Sequence, residues 1–110
     1  MIPDRTVVEN IRSLGGWLVV LNGPIKNGDF RLFSGKTTVG SGHTADIQLQ
    51  DPRIEPLHFS IRLTGGEIGL TDLDSDSGLF IRDRKIFKEI IDDETIFKAG
   101  DVEFLIKTLG

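Results

Sequence analysis

The chain has 110 residues, 38% of them hydrophobic and 27% charged, which is enough for one modest core, too few for two domains and too apolar for a disordered segment. Its net charge of −4, with no concentrated basic run, argues against nucleic acid, and its lack of cysteine excludes disulfides, thiolate metal sites and cysteine nucleophiles. No apolar run approaches membrane-spanning length and the start MIPDRTVVEN lacks the basic-then-apolar plan of a secretory signal, so a cytoplasmic protein without direct membrane insertion is expected.

Residues 1–14 read differently from the remainder. Val7, Val8, Ile11 and Leu14 recur at helical spacing, Asp4 offers a cap and Gly15-Gly16 a stop, the pattern of a short amphipathic helix. A frayed N-terminal tail is the alternative, since so short a helix is marginal unless packed. From Trp17 the period becomes two, and residues 15–110 read as a single β domain. WLVVL (17–21) is a buried strand closed by the turn signals Asn22-Gly23-Pro24 and Lys26-Asn27-Gly28. In DFRLF, Phe30 and Leu32 share a face opposite Arg31. A short TTV strand follows Gly35 and ends at Gly40, and Asp46-Ile47-Gln48-Leu49 alternates polar with apolar. The segment from His58 to Leu63 alternates as far as Gly65-Gly66, after which Ile68 and Leu70 continue on one face. Leu79-Phe80-Ile81 turns through Arg82-Asp83-Arg84 into Ile86-Phe87. The closing hairpin is Thr95-Ile96-Phe97, a turn at Lys98-Ala99-Gly100-Asp101, and Val102 to Leu109, where Val102, Phe104 and Ile106 oppose Glu103 and Lys107. Roughly nine to eleven short strands with no long helical segment between them predict an all-β sandwich of antiparallel hairpins.

Three segments imitate chemical motifs. Lys36-Thr37 suggests a phosphate-binding P-loop, but that loop needs a glycine five residues before its Gly-Lys and a helix behind it; position 30 is Phe and the segment joins two strands. Asp72, Asp74 and Asp76 alternate like a calcium loop, yet Ser77 and Asp83 stand where that loop requires Gly and Glu, so solvated turn carboxylates are expected. His58 lacks the companions of a metal set or a catalytic triad and reads as a structural ring bridging a loop to backbone groups. No catalytic residue, metal or cofactor site emerges, and an enzyme is not expected.

The succession VG-(five residues)-DIQLQD, IEPLHFSI and LTDLDSDSGLFI, flanked by GWLVVLNGP and GDVEFLIKTL, resembles a forkhead-associated (FHA) domain from about Gly16 to Leu109. That resemblance implies an FHA/SMAD-like β-sandwich of about eleven strands, whose family binds phosphothreonine peptides through loops at one end. It also implies a structural set, Gly40, His58, Ser75 and Gly78, and partner-binding loops carrying Ser41, His43, Arg53, Glu55, Pro56, Asp76, Ser77 and Arg82. In the family an Arg after the first glycine meets the phosphate, a Ser assists it, and an Asn holds the peptide backbone. The matching positions here are Ser41, Glu55 and Ser77.

One hydroxyl does not replace a charged bidentate fork. A carboxylate in place of a donor would repel the dianion: two unit charges about 4 Å apart cost roughly 1 kcal/mol in water and roughly 4 at an effective dielectric of 20. Arg53 or Lys36 could compensate but would first be drawn to Glu55. The expected function is therefore a protein–protein interaction module that needs no phosphothreonine, an adaptor or scaffold in signalling or a secretion-type assembly, with another protein or peptide as partner. One alternative retains phosphopeptide binding through relocated Arg53, Arg82 or Arg84. Another is a structural assembly domain, docking through sheet faces, edges or the amphipathic stretch of residues 1–14.

Overall fold

The structure, a computed structural model, describes residues 13–23 and 28–109. Alternation of apolar and polar residues yields eleven strands: β1 (Leu14–Val20), β2 (Asp29–Phe33), β3 (Gly35–Gly40), β4 (Ile47–Gln48), β5 (Phe59–Thr64), β6 (Glu67–Asp72), β7 (Leu79–Ile81), β8 (Arg84–Lys85), β9 (Lys88–Ile91), β10 (Ile96–Ala99) and β11 (Val102–Thr108). They form two packed sheets, ordered β2-β1-β11-β10-β7-β8 and β4-β3-β5-β6-β9. The expected all-β sandwich is what the chain adopts.

The core lies between the inward faces. Leu18, Val20, Leu32, Phe97, Phe104 and Ile106 come from the first sheet and Val39, Phe59, Ile61 and Leu70 from the second, all buried. Phe59, Phe97 and Phe104 meet at centroid distances of 5.3 Å, two of the contacts edge-on and one stacked. Each such ring contributes about 1.5–3 kcal/mol through burial, with a smaller increment from the aromatic geometry. This cluster ties the start of β5 to β10 and β11, and so fixes the loops that begin and end there.

Several expectations need correction. The helix expected over residues 1–14 lies outside the described residues except at its end, where Leu14 opens β1. Gly15-Gly16 does not stop a helix: the register of β1 with β2 shifts between Leu14 and Gly16, a bulge. Gly16 is also where β11 approaches so closely that a Cβ would overlap the Lys107 carbonyl. The strands are not all antiparallel, because β4 runs parallel to β3, pairing Val39 with Ile47 and Gly40 with Gln48. The cause is a looping connection in place of a hairpin. Asp46 Oδ2 accepts from the Thr38 amide at 2.9 Å and its own amide donates to Thr38 Oγ1 at 2.9 Å, so the chain closes a full circuit on itself. The hairpin after β7 is tighter than expected. Arg82 and Asp83 both take positive φ, 50° and 65°, as a two-residue primed turn requires. β8 is therefore Arg84–Lys85, leaving Ile86 buried behind it and Phe87 exposed. The strand β9, absent from the sequence reading, alternates Lys88, Glu89 and Ile90 against β6 as an edge strand.

Candidate functional site

At one pole of the sandwich the loops after β1, β3, β4, β6 and β10 converge, and three elements knit them. The first is Gly40. A Cβ there would overlap the Pro56 carbonyl, and this closeness lets Ser41 N donate to Glu55 O at 2.9 Å and Gly42 N to Pro56 O at 3.0 Å. The β3–β4 loop is thereby fastened to the segment before β5.

The second is His58, fully buried. Its Nδ1 accepts the Glu55 amide at 3.2 Å, so the ring carries its proton on Nε2, which donates to Gly78 O at 3.0 Å. One imidazole thus bridges the loop before β5 and the loop before β7, leaving no buried ring nitrogen unpaired. The third is Ser75. Its hydroxyl donates to Asp72 Oδ1 at 2.6 Å and accepts from Gly78 N at 2.9 Å. Gly78, at φ 89°, then passes beneath the Phe80 ring, which a Cβ would strike.

On this frame Glu55 reaches across to the β6–β7 loop. Its carboxylate accepts the amides of Asp76 at 3.0 Å and Ser77 at 2.6 Å. Partial burial pushes its pKa up, but the Ser77 side chain and these two amides outweigh that, and the net direction is down. Glu55 is a fixed anion seated on a pair of backbone donors.

Arg53 does not turn to Glu55. It forks onto Asp51, with Nε to Oδ1 at 2.9 Å and Nη2 to Oδ2 at 2.7 Å, and its amide also donates to Oδ1 at 2.9 Å. The Asp51 side chain is 0% exposed and that of Arg53 32%, so the guanidinium lowers the carboxyl pKa against the opposing effect of burial. The pair is held under the β1–β2 and β10–β11 loops. Arg53 Nη1 approaches Asp101 O at 3.5 Å, Asn22 Nδ2 donates to Asp101 O at 3.1 Å, and Glu103 N donates to Asn22 Oδ1 at 2.9 Å.

The remaining expected residues divide. His43 offers its carbonyl to Gln48 Nε2 at 3.2 Å while its ring faces solvent. Pro56, Asp76 and Ser77 are exposed beside Glu55. Arg82 stands apart. β7 leaves the loop pole at Leu79, opposite Ala99, and carries the chain away from it. Arg82 therefore lines a separate cleft of about 940 Å³ with Asp92, Glu94, Thr95 and Ile96. Arg84 is forked onto Glu89 at 2.8 and 3.1 Å, and Lys36 lies on the outer face of its sheet, opposite Arg62. None of these side chains reaches the amides held by Glu55. Asp51 has no counterpart among the expected site residues, although the Asp51-x-Arg53 spacing two residues after the apolar Leu49 signals it. Asn22 and Asp72, expected only as turn residues, are hydrogen-bonded parts of the frame, so Asp72 is not a merely solvated carboxylate.

A family described as the inner membrane component of T3SS, cytoplasmic domain, matches residues 19–109. The chain is 32% identical over 79 residues to the oxoglutarate dehydrogenase inhibitor of Corynebacterium glutamicum, covering 72% of this chain and 55% of that protein. It is 29% identical over 96 residues to the glycogen accumulation regulator GarA of Mycolicibacterium smegmatis, covering 87% and 58%. The chain therefore spans a little over half the length of these curated relatives. The crystal structure of an FHA domain from a Chlamydia trachomatis protein superimposes with a TM-score of 0.80 at 28% identity, covering 87% of this chain and 99% of that one.

Proposed function

The chain belongs to the family of T3SS inner-membrane-component cytoplasmic domains and folds as an FHA domain, a protein–protein interaction module, and on that premise we propose that its loop pole receives a partner protein without requiring phosphothreonine. The observation that carries this reading is Glu55 on the Asp76 and Ser77 amides. Two donors that could serve an incoming anion are already satisfied by a negative group belonging to the chain. Ser41 supplies no guanidinium, and Arg53, Arg82 and Arg84 are paired elsewhere or remote, which weighs against recognition through relocated arginines. The exposed carboxylates of Asp74 and Asp76 make the pole suited to a neutral or basic segment.

The family description supports a scaffold role on the cytoplasmic side of a secretion assembly, in which residues 15–110 act as a binding platform, not as an enzyme.

Titration with phosphothreonine peptides and their unphosphorylated counterparts tests the proposal. The phosphorylated peptide should bind the natural chain no more tightly than its unphosphorylated counterpart. The triple substitution Ser41→Arg, Glu55→Ser, Ser77→Asn, which restores the missing donors, should create phosphate-dependent binding. Tight phosphate-dependent binding by the unsubstituted chain would overturn the reading.

A further inference from the structure

We propose that the outer face of the β3–β5–β6–β9 sheet is a second docking surface, which receives an extended acidic segment of a partner protein. The inference does not depend on the reading of the loop pole. The register sets two rows side by side across the strands: Lys36, Arg62, Gly69 and Ile90 in one, Thr38, Ser60, Thr71 and Lys88 in the other. Small residues at the centre make the face concave. Gly69 has no side chain and nothing closer than 3.9 Å to where one would start, and Ser60 and Thr71 floor the adjoining space. The resulting hollow holds about 400 Å³.

Its charge opposes that of the molecule. Lys36, Arg62 and Lys88 line it against one carboxylate, Glu67, in a chain whose net charge is −4. Arg62 and Lys88 take part in none of the ion pairs among the described residues. Charge complementarity therefore selects an acidic occupant, which the floor hydroxyls can also hydrogen-bond. Ile90, 59% exposed, and Leu73 add apolar seats to its lining, matching a segment that alternates acidic with aliphatic residues. Nucleic acid fits less well, since no aromatic ring lines the hollow to stack a base and a few separated cations do not track a phosphate backbone. An anionic membrane would call for a denser basic cluster.

The test uses a fluorescent decapeptide alternating Glu and Leu, its Lys/Leu counterpart, a ten-residue oligothymidylate and phosphatidylserine vesicles, with amide shifts mapped by NMR. The acidic peptide should bind, shift residues 60–62, 69–71 and 88–90, and weaken with salt. The double variant Arg62→Glu/Lys88→Glu should lose about tenfold or more in affinity. If that variant does not fold, Arg62→Gln/Lys88→Gln should still lose severalfold. Absence of peptide binding, undiminished affinity in the folded variant, shifts confined to residues 41–43 and 75–78, or tighter binding of the Lys/Leu peptide, the oligothymidylate or the vesicles would each overturn the proposal.

Discussion

Asp51 and Glu55 differ in exposure but share one electrostatic consequence. Arg53 lowers the pKa of Asp51, and donors from Ser77 and Asp76 overcome partial burial to lower that of Glu55. A carboxyl depressed on folding contributes stability that is fully present above its unfolded pKa and is lost as pH falls toward the folded value. The loss should therefore begin below about pH 5, near the ordinary carboxylate values, and deepen on further acidification. Thermal unfolding followed by circular dichroism from about pH 7 to pH 2.5 should show this decline. Asp51→Asn and Glu55→Gln should each be less stable at neutral pH and decline less steeply; slopes identical to the natural chain would refute the assignment. The two residues also mark what could be read from sequence. Gly40, His58, Ser75 and Gly78 stood in recognisable motifs because backbone geometry demands those residue types there. The partner of Arg53 did not show, since Asp51 and Glu55 are equally spaced from it. Burial of Asp51 behind the β4 segment decides the pairing, and burial of a single carboxylate leaves no periodic trace.

Among the strands, those with clean alternation were visible in the sequence and those shaped by a neighbour were not. β2, β5 and β11 follow from their own pattern. β4, though two residues long, shows in the alternation of residues 46–49, whereas β9 is an edge strand whose polar and apolar residues are set by pairing with β6 and does not announce itself. The Gly15-Gly16 pair carried opposite meanings for a helix and for a bulged strand, and only the approach of β11 separates them. That approach is testable. Gly16→Ala forces a Cβ onto the Lys107 carbonyl, between two paired strands that have little room to part, and should cost about 2–4 kcal/mol in urea unfolding. Gly65→Ala in the β5–β6 turn meets nothing within 4 Å but requires φ of 55°, and should cost about 1 kcal/mol. Equal losses at the two sites would contradict the close contact of β1 with β11.

For the molecule as a whole, the strand order makes the fold a product of distant contacts. β1 lies between β2 and β11, and β5 between β3 and β6, so the first and last strands must meet before one sheet closes. Such topology folds slowly, and stopped-flow refolding should proceed over milliseconds to seconds; relaxation within microseconds would be inconsistent with it. The same β1–β11 adjacency has a mechanical side. Because the two strands are antiparallel, Leu14 and Leu109 sit at one pole, with Leu109 N bonded to Gly15 O at 2.9 Å. Tension applied between those two points would peel the ladder rung by rung instead of shearing all its rungs together, so under load the domain should yield like a zip, opening from the pole farthest from the loops.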